Sequence, residues 1–81
     1  MTNKEKLKDM LVEMLLLEEG EFRFDLMKKE VKTWDSLAVV AMAVGIAETF
    51  GYHMKPEEAV SIHGVEDIIK ILESKGIGFH D

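Results

Sequence analysis

Three serine hydroxyls, at Ser36, Ser61 and Ser74, are the candidate nucleophiles worth weighing in a sequence that has no cysteine. Ser36 has the most informative setting. Asp35 precedes it, and the stretch from Ser36 to Phe50 carries a single charged residue, Glu48. Asp and Ser are both good helix N-caps, because each side-chain oxygen accepts a bond from a free amide of the first turn. The pair therefore marks the start of a helix. The free amides and the positive end of the helix dipole at such a start favour a phosphate. A phosphodiester on the Ser36 hydroxyl would sit in that field. Asp35 is suited to help hold a divalent cation while such a group is transferred, since carboxylate and phosphate oxygens both suit magnesium. The plainer reading of the same two residues is a helix cap and nothing more.

Other chemistries find less support. His53, His63 and His80 place no pair one helical turn apart, so they form no metal pattern. His63 reads as a helix cap or a surface residue. Without cysteine, a structural zinc site is not expected. A Ser36–His–Asp hydrolase lacks both a Gly-x-Ser-x-Gly elbow and a visible oxyanion hole. Acidic residues at calcium-loop spacing are absent as well. The expected metal content is none, and no catalytic residue is assigned.

The elements that must position Ser36 are helical. Leu7, Met10, Leu11, Met14 and Leu15 repeat at helical spacing, which predicts a first helix over about 4–18, capped by Thr2 or Asn3 and stopped by Gly20. Residues 20–34 fit neither period. They predict a long loop with a helical turn near Leu26–Glu30, pinned to the helices by its aromatics, Trp34 among them. The second helix is predicted over 36–50, ending at Gly51. Its apolar residues cover more than one face, so it is central or offers surface to a partner. Gly45 within it admits a close neighbour or is simply tolerated. A short third helix over 56–61 opens on Pro56, with Ala59 and Val60 on its buried side. A fourth over 64–75 carries the stripe Val65, Ile68, Ile69 and Leu72, leaving a loose tail over 77–81. The six methionines read as core filler. The expected fold is all-α, a four-helix bundle with a long first loop and a short third helix, in one domain spanning 1–81.

Charge narrows the partners. Ten basic and sixteen acidic residues give a formal net charge of −6, concentrated after residue 33. Such a surface repels nucleic-acid phosphates and anionic membranes and attracts basic protein partners. No apolar run approaches the roughly 20 residues that span a bilayer, and the charged start does not suit a signal peptide. A cytoplasmic monomer is the expectation.

At Asp35-Ser36-Leu37 the sequence resembles the acyl carrier protein and peptidyl carrier protein family, whose attachment motif these residues match. Trp34 before them is similar to the Trp-Asp-Ser-Leu variant of specialised carriers. Glu48-Thr49-Phe50-Gly51 resembles the family's end of the second helix, and Met54-Lys55-Pro56-Glu57-Glu58-Ala59 its entry to the third. The resemblance covers about residues 4–75, weakest over 20–33. It implies an acyl-carrier-type fold and a 4'-phosphopantetheine arm, moved from coenzyme A onto Ser36 by a phosphopantetheinyl transferase. The arm's thiol would carry an acyl or aminoacyl group between a ligase and a transferase or synthase. The carrier itself would catalyse nothing. The resemblance also implies that Leu37, Val40, Val44 and Glu48 contact those partners.

The sequence departs from fatty-acid carriers at Ala38 and Ala41, where acidic residues are usual. Rim charges set on-rate and selectivity, so their loss points to apolar recognition in a dedicated pathway rather than general fatty-acid synthesis. The alternative is an unmodified helical interaction domain that keeps the carrier fold and binds a protein through its apolar second helix.

Overall fold

A computed structural model describes residues 2–79. Among them the chain is all-α. The α-helices are α1 (Asn3–Met14), α2 (Ser36–Phe50), α3 (Pro56–Val60) and α4 (Val65–Ser74), with 3-10 turns at Glu19–Glu21 and Lys28–Glu30.

Helix α1 starts at a reciprocal cap. Thr2 Oγ1 accepts the Glu5 N–H at 3.1 Å, and the Glu5 carboxylate accepts the Thr2 N–H. Leu7, Met10 and Leu11 turn inward. The helix ends at Met14, four residues short of the predicted span. Leu16 takes a left-handed conformation (φ 55°), the Leu17 N–H reaches the Val12 carbonyl, and the Leu16 N–H reaches that of Glu13. This is a Schellman closure with leucine where glycine is usual. It folds Leu15 completely into the core and leaves Leu16 79% exposed. Because Leu16 buries little, Leu16→Gly should relieve the left-handed strain and raise stability by roughly 0.5–1 kcal/mol. Chemical denaturation of the two proteins checks this.

The long loop is fixed at several points. Leu26 and Trp34 are buried, and the Thr33 hydroxyl donates to the Leu15 carbonyl. Lys28 N–H donates to the His63 carbonyl at 2.7 Å and Val65 N–H to that of Leu26 at 3.0 Å, around an isolated bridge between Met27 and Gly64. The loop is thereby tied to the entry of α4. At its surface Arg23 pairs with Asp25 and Glu30. The Met27 N–H, and then Arg23, hold the Glu30 carboxyl below its usual range. Exposed pairs of this kind contribute little to stability.

Helix α2 spans the predicted residues, from the Asp35 cap to a left-handed Gly51 (φ 75°). It is both central and exposed. Ala38, Val39, Met42, Gly45 and Ile46 are buried, while Leu37, Val40 and Val44 face solvent. A Cβ at Gly45 would lie 2.7 Å from Met10 Sδ and 2.9 Å from its Cγ, so the glycine makes room for the Met10 side chain of α1 where it packs. Helix α4 adds Val65, Ile68 and Leu72 to the same core.

Two expectations are corrected. The tail is not loose over Ile77–Phe79. Phe79 is buried with its ring centroid 5.8 Å from that of Phe50, and Asn3 Nδ2 donates to the Gly78 carbonyl at 2.8 Å. Residues 80 and 81 lie outside the described range. On α3 only Ala59 is buried, and Val60 is 69% exposed. Five residues make barely more than one turn, so α3 offers the core a single position.

Candidate functional site

The start of α2 is built from Trp34, Asp35 and Ser36. Trp34 is buried at 3% exposure and anchors the chain immediately before the helix. Its N–H bonds the Val31 carbonyl, and the Asp35 N–H bonds that of Thr33, which turns the backbone into α2. Asp35 Oδ1 then accepts the Ala38 N–H at 2.9 Å. Asp35 is therefore the N-cap, and Ser36 is the first helical residue.

That position exposes the Ser36 side chain, and its hydroxyl makes no hydrogen bond among the described residues. The other two serines differ. Ser61 Oγ donates to the Glu58 carbonyl at 2.7 Å, and Ser74 Oγ to the Ile71 carbonyl at 2.6 Å. Both hydroxyls are spent on their own helices, while that of Ser36 stays free beside the open amides of a first turn.

Ser36 also opens onto a groove of about 430 Å³ between α2 and α3. Val39, Val40, Ala43 and Val44 form its α2 side, and Met54, Pro56, Ala59 and Val60 the side opposite. Lys28 from the long loop is its one charged residue. The structure thus brings Val40 and Val44 together with Ser36. Leu37 projects into solvent at 79% exposure, next to the groove in sequence but not among its lining. Glu48 lies elsewhere, in a cleft between α1 and α2 with Gly45, Met10 and Met14.

Spacing on α3 carried a signal for part of this. Pro56 and Val60 are four apart and share a face, and that face is the groove wall. The contribution of Lys28 had no local signal, since only the tertiary tie between the long loop and α4 brings it there.

The α3 wall is held by Glu58. Its carboxylate accepts a hydrogen bond from the Tyr52 hydroxyl and another from the Lys55 N–H at 3.1 Å, and Lys75 Nζ sits 5.4 Å from the Tyr52 ring centroid. The Tyr52 hydroxyl, and after it the Lys55 N–H, hold Glu58 below the usual glutamate range; the same bond raises Tyr52. A carboxyl lowered in the folded state adds stability that is complete above its unfolded value near 4.5 and fades as pH falls through the lower folded value. Tyr52→Phe should therefore be less stable than the parent at pH 7, with the gap closing in acid. Paired urea titrations at pH 7 and pH 3 check this, and an equal gap at both would contradict it.

Among the described residues no group of three or more His, Asp or Glu side chains is placed to hold a metal ion, and no helix is long and apolar enough to cross a membrane. His63 is exposed, and its N–H donates to Asp67 Oδ2 at the start of α4. No family model, no curated protein and no solved structure matches this chain.

Proposed function

We propose that this chain is an acyl or aminoacyl carrier protein that bears a 4'-phosphopantetheine arm on Ser36, and that its four helices form a bundle of the acyl-carrier type. The observation that carries the reading is the state of the Ser36 hydroxyl. It is exposed, unbonded among the described residues, and first in a fifteen-residue helix, whereas the hydroxyls of Ser61 and Ser74 are engaged.

The site residues fit the group. In the attachment step Ser36 Oγ attacks the phosphorus of coenzyme A that bears the pantetheine. A new O–P bond forms, the pyrophosphate bond breaks, and 3',5'-ADP leaves while a base of the transferase takes the serine proton. The open amides of α2 face the resulting anion. Asp35 flanks it, with one oxygen committed to Ala38 and the other able to approach a transferase-bound cation. When attached, the arm supplies a thiol that carries the cargo as a thioester. The chain performs no catalysis of its own.

Leu37, Val40 and Val44 then form the docking face for the transferase, the ligase and the synthase, joined by Val60 of α3. Glu48, which the resemblance implied as a further contact, lines the cleft toward α1 and stands outside that face. Because the exposed side chains of this face, Leu37, Val40, Val44 and Val60, are all apolar, docking rests on apolar contact, and its affinity should change little with salt. A cytoplasmic, specialised biosynthetic pathway suits this surface.

The same exposed apolar residues favour one other reading, an unmodified domain that binds a protein through α2. Intact mass separates the two. Incubation with coenzyme A and a broad-specificity transferase should add one arm. An unchanged mass, with a control carrier modified in parallel, would reject the carrier reading.

A further inference from the structure

The groove beside Ser36 has an unbalanced chemistry. Eight of its lining residues are apolar, one is Ser36 itself, and one is Lys28. An attached arm would place a phosphodiester charge next to the Asp35 carboxylate, and like charges at such range repel. The α2 amides supply only partial positive charge. We propose that Lys28 is the counter-ion of that phosphodiester and sets the first segment of the arm at the mouth of the groove. This rests on the carrier reading above.

The backbone of Lys28 is fixed for the role. Its N–H is bonded to the His63 carbonyl at 2.7 Å, and its carbonyl accepts the Val31 N–H at 3.1 Å. Its side chain is half-buried and makes no ion pair among the described residues, in contrast to Arg23 on the same loop, which has two. Lys28 also stands between two clefts. It lines the Ser36 groove and a neighbouring one shared with Lys29, Trp34 and His63, and these three do not reach the groove. One lysine of the adjacent pair is thus placed for the arm, and Lys29 serves as an internal control.

The test uses the full chain carrying the arm, labelled with ¹³C and ¹⁵N in lysine. Side-chain spectra are compared before and after attachment, and ³¹P spectra are recorded for the loaded parent, Lys28→Gln, Lys28→Arg and Lys29→Gln. Attachment should shift the Lys28 Cε and Nζ resonances and leave those of Lys29 in place. The ³¹P resonance should move in Lys28→Gln, stay near the parent position in Lys28→Arg and Lys29→Gln, and drift toward the Lys28→Gln position as sodium chloride is raised. A protein whose mass shows the arm, with the Lys28 resonances unmoved and the same ³¹P position in Lys28→Gln, overturns the inference and leaves the carrier reading standing. A mass without the arm overturns both.

Discussion

Ser36→Ala should gain no mass on incubation with coenzyme A and transferase, while Ser61→Ala and Ser74→Ala gain one arm as the parent does. The effect is all or none because the new O–P bond needs a hydroxyl that can approach the transferase. Ser61 and Ser74 are exposed too, so exposure alone does not separate the three serines. What separates them is engagement. Their hydroxyls donate to the Glu58 and Ile71 carbonyls at helix C-termini, where the dipole end is negative and repels a phosphate. The Ser36 hydroxyl has no hydrogen-bond partner among the described residues and lies at the positive end of α2. Losing an exposed, unbonded hydroxyl should leave stability within about 0.5 kcal/mol of the parent. A matching thermal melt therefore shows that the missing arm reflects chemistry rather than unfolding. Attachment persisting in Ser36→Ala would remove the assignment.

The largest expected effect on stability is at Trp34. The indole is 3% exposed and is the biggest side chain in the core, two residues before Ser36. Trp34→Ala should cost about 3–5 kcal/mol by lost burial and a residual cavity. Native domains hold only about 5–15 kcal/mol, and one this small stands near the lower end. Trp34→Ala should therefore be partly unfolded in buffer, with arm attachment falling in step with the folded fraction. Trp34→Phe should be much milder. The Nε1 atom is buried without a hydrogen-bond partner among the described residues, so phenylalanine gives up volume but no protein bond. Urea titrations of the two variants check the ordering. Equal losses would show that the indole nitrogen matters in a way its geometry does not indicate.

The legible parts of the chain were those whose signal is local. Asp35 and Gly51 bound α2 through side-chain capping and a left-handed stop, and both signals stand in the sequence itself. Pro56 fixes the first position of α3 for the same kind of reason. The end of α1 was misread because Leu15 and Leu17 continue the apolar pattern and Gly20 offers an obvious stop. The chain closes earlier, through a leucine in a conformation that leucine disfavours, since that closure puts Leu15 fully inside. Phe79 belongs to no periodic segment, and its burial depends on Phe50, 29 positions earlier in the sequence. The candidate site divides in the same way. Cap chemistry places Asp35 and Ser36 at the start of α2, while the roles of Ser36, Val40 and Val44 in the site come from the family resemblance. The groove itself needs α2, α3 and the long loop together, so Met54 and Lys28 emerge only from the assembled chain. Glu48 marks the opposite limit. The resemblance grouped it with Val44, but it lines the cleft on the α1 side instead.

Peptide fragmentation of the treated protein, read by mass spectrometry, locates the added group directly. The arm should be found on the peptide containing Ser36, with the fragment series breaking at that residue and with Ser61 and Ser74 unmodified. An arm located on either of those serines, or no arm on any peptide while a control carrier is loaded in parallel, would contradict the assignment of Ser36 as the tethering hydroxyl.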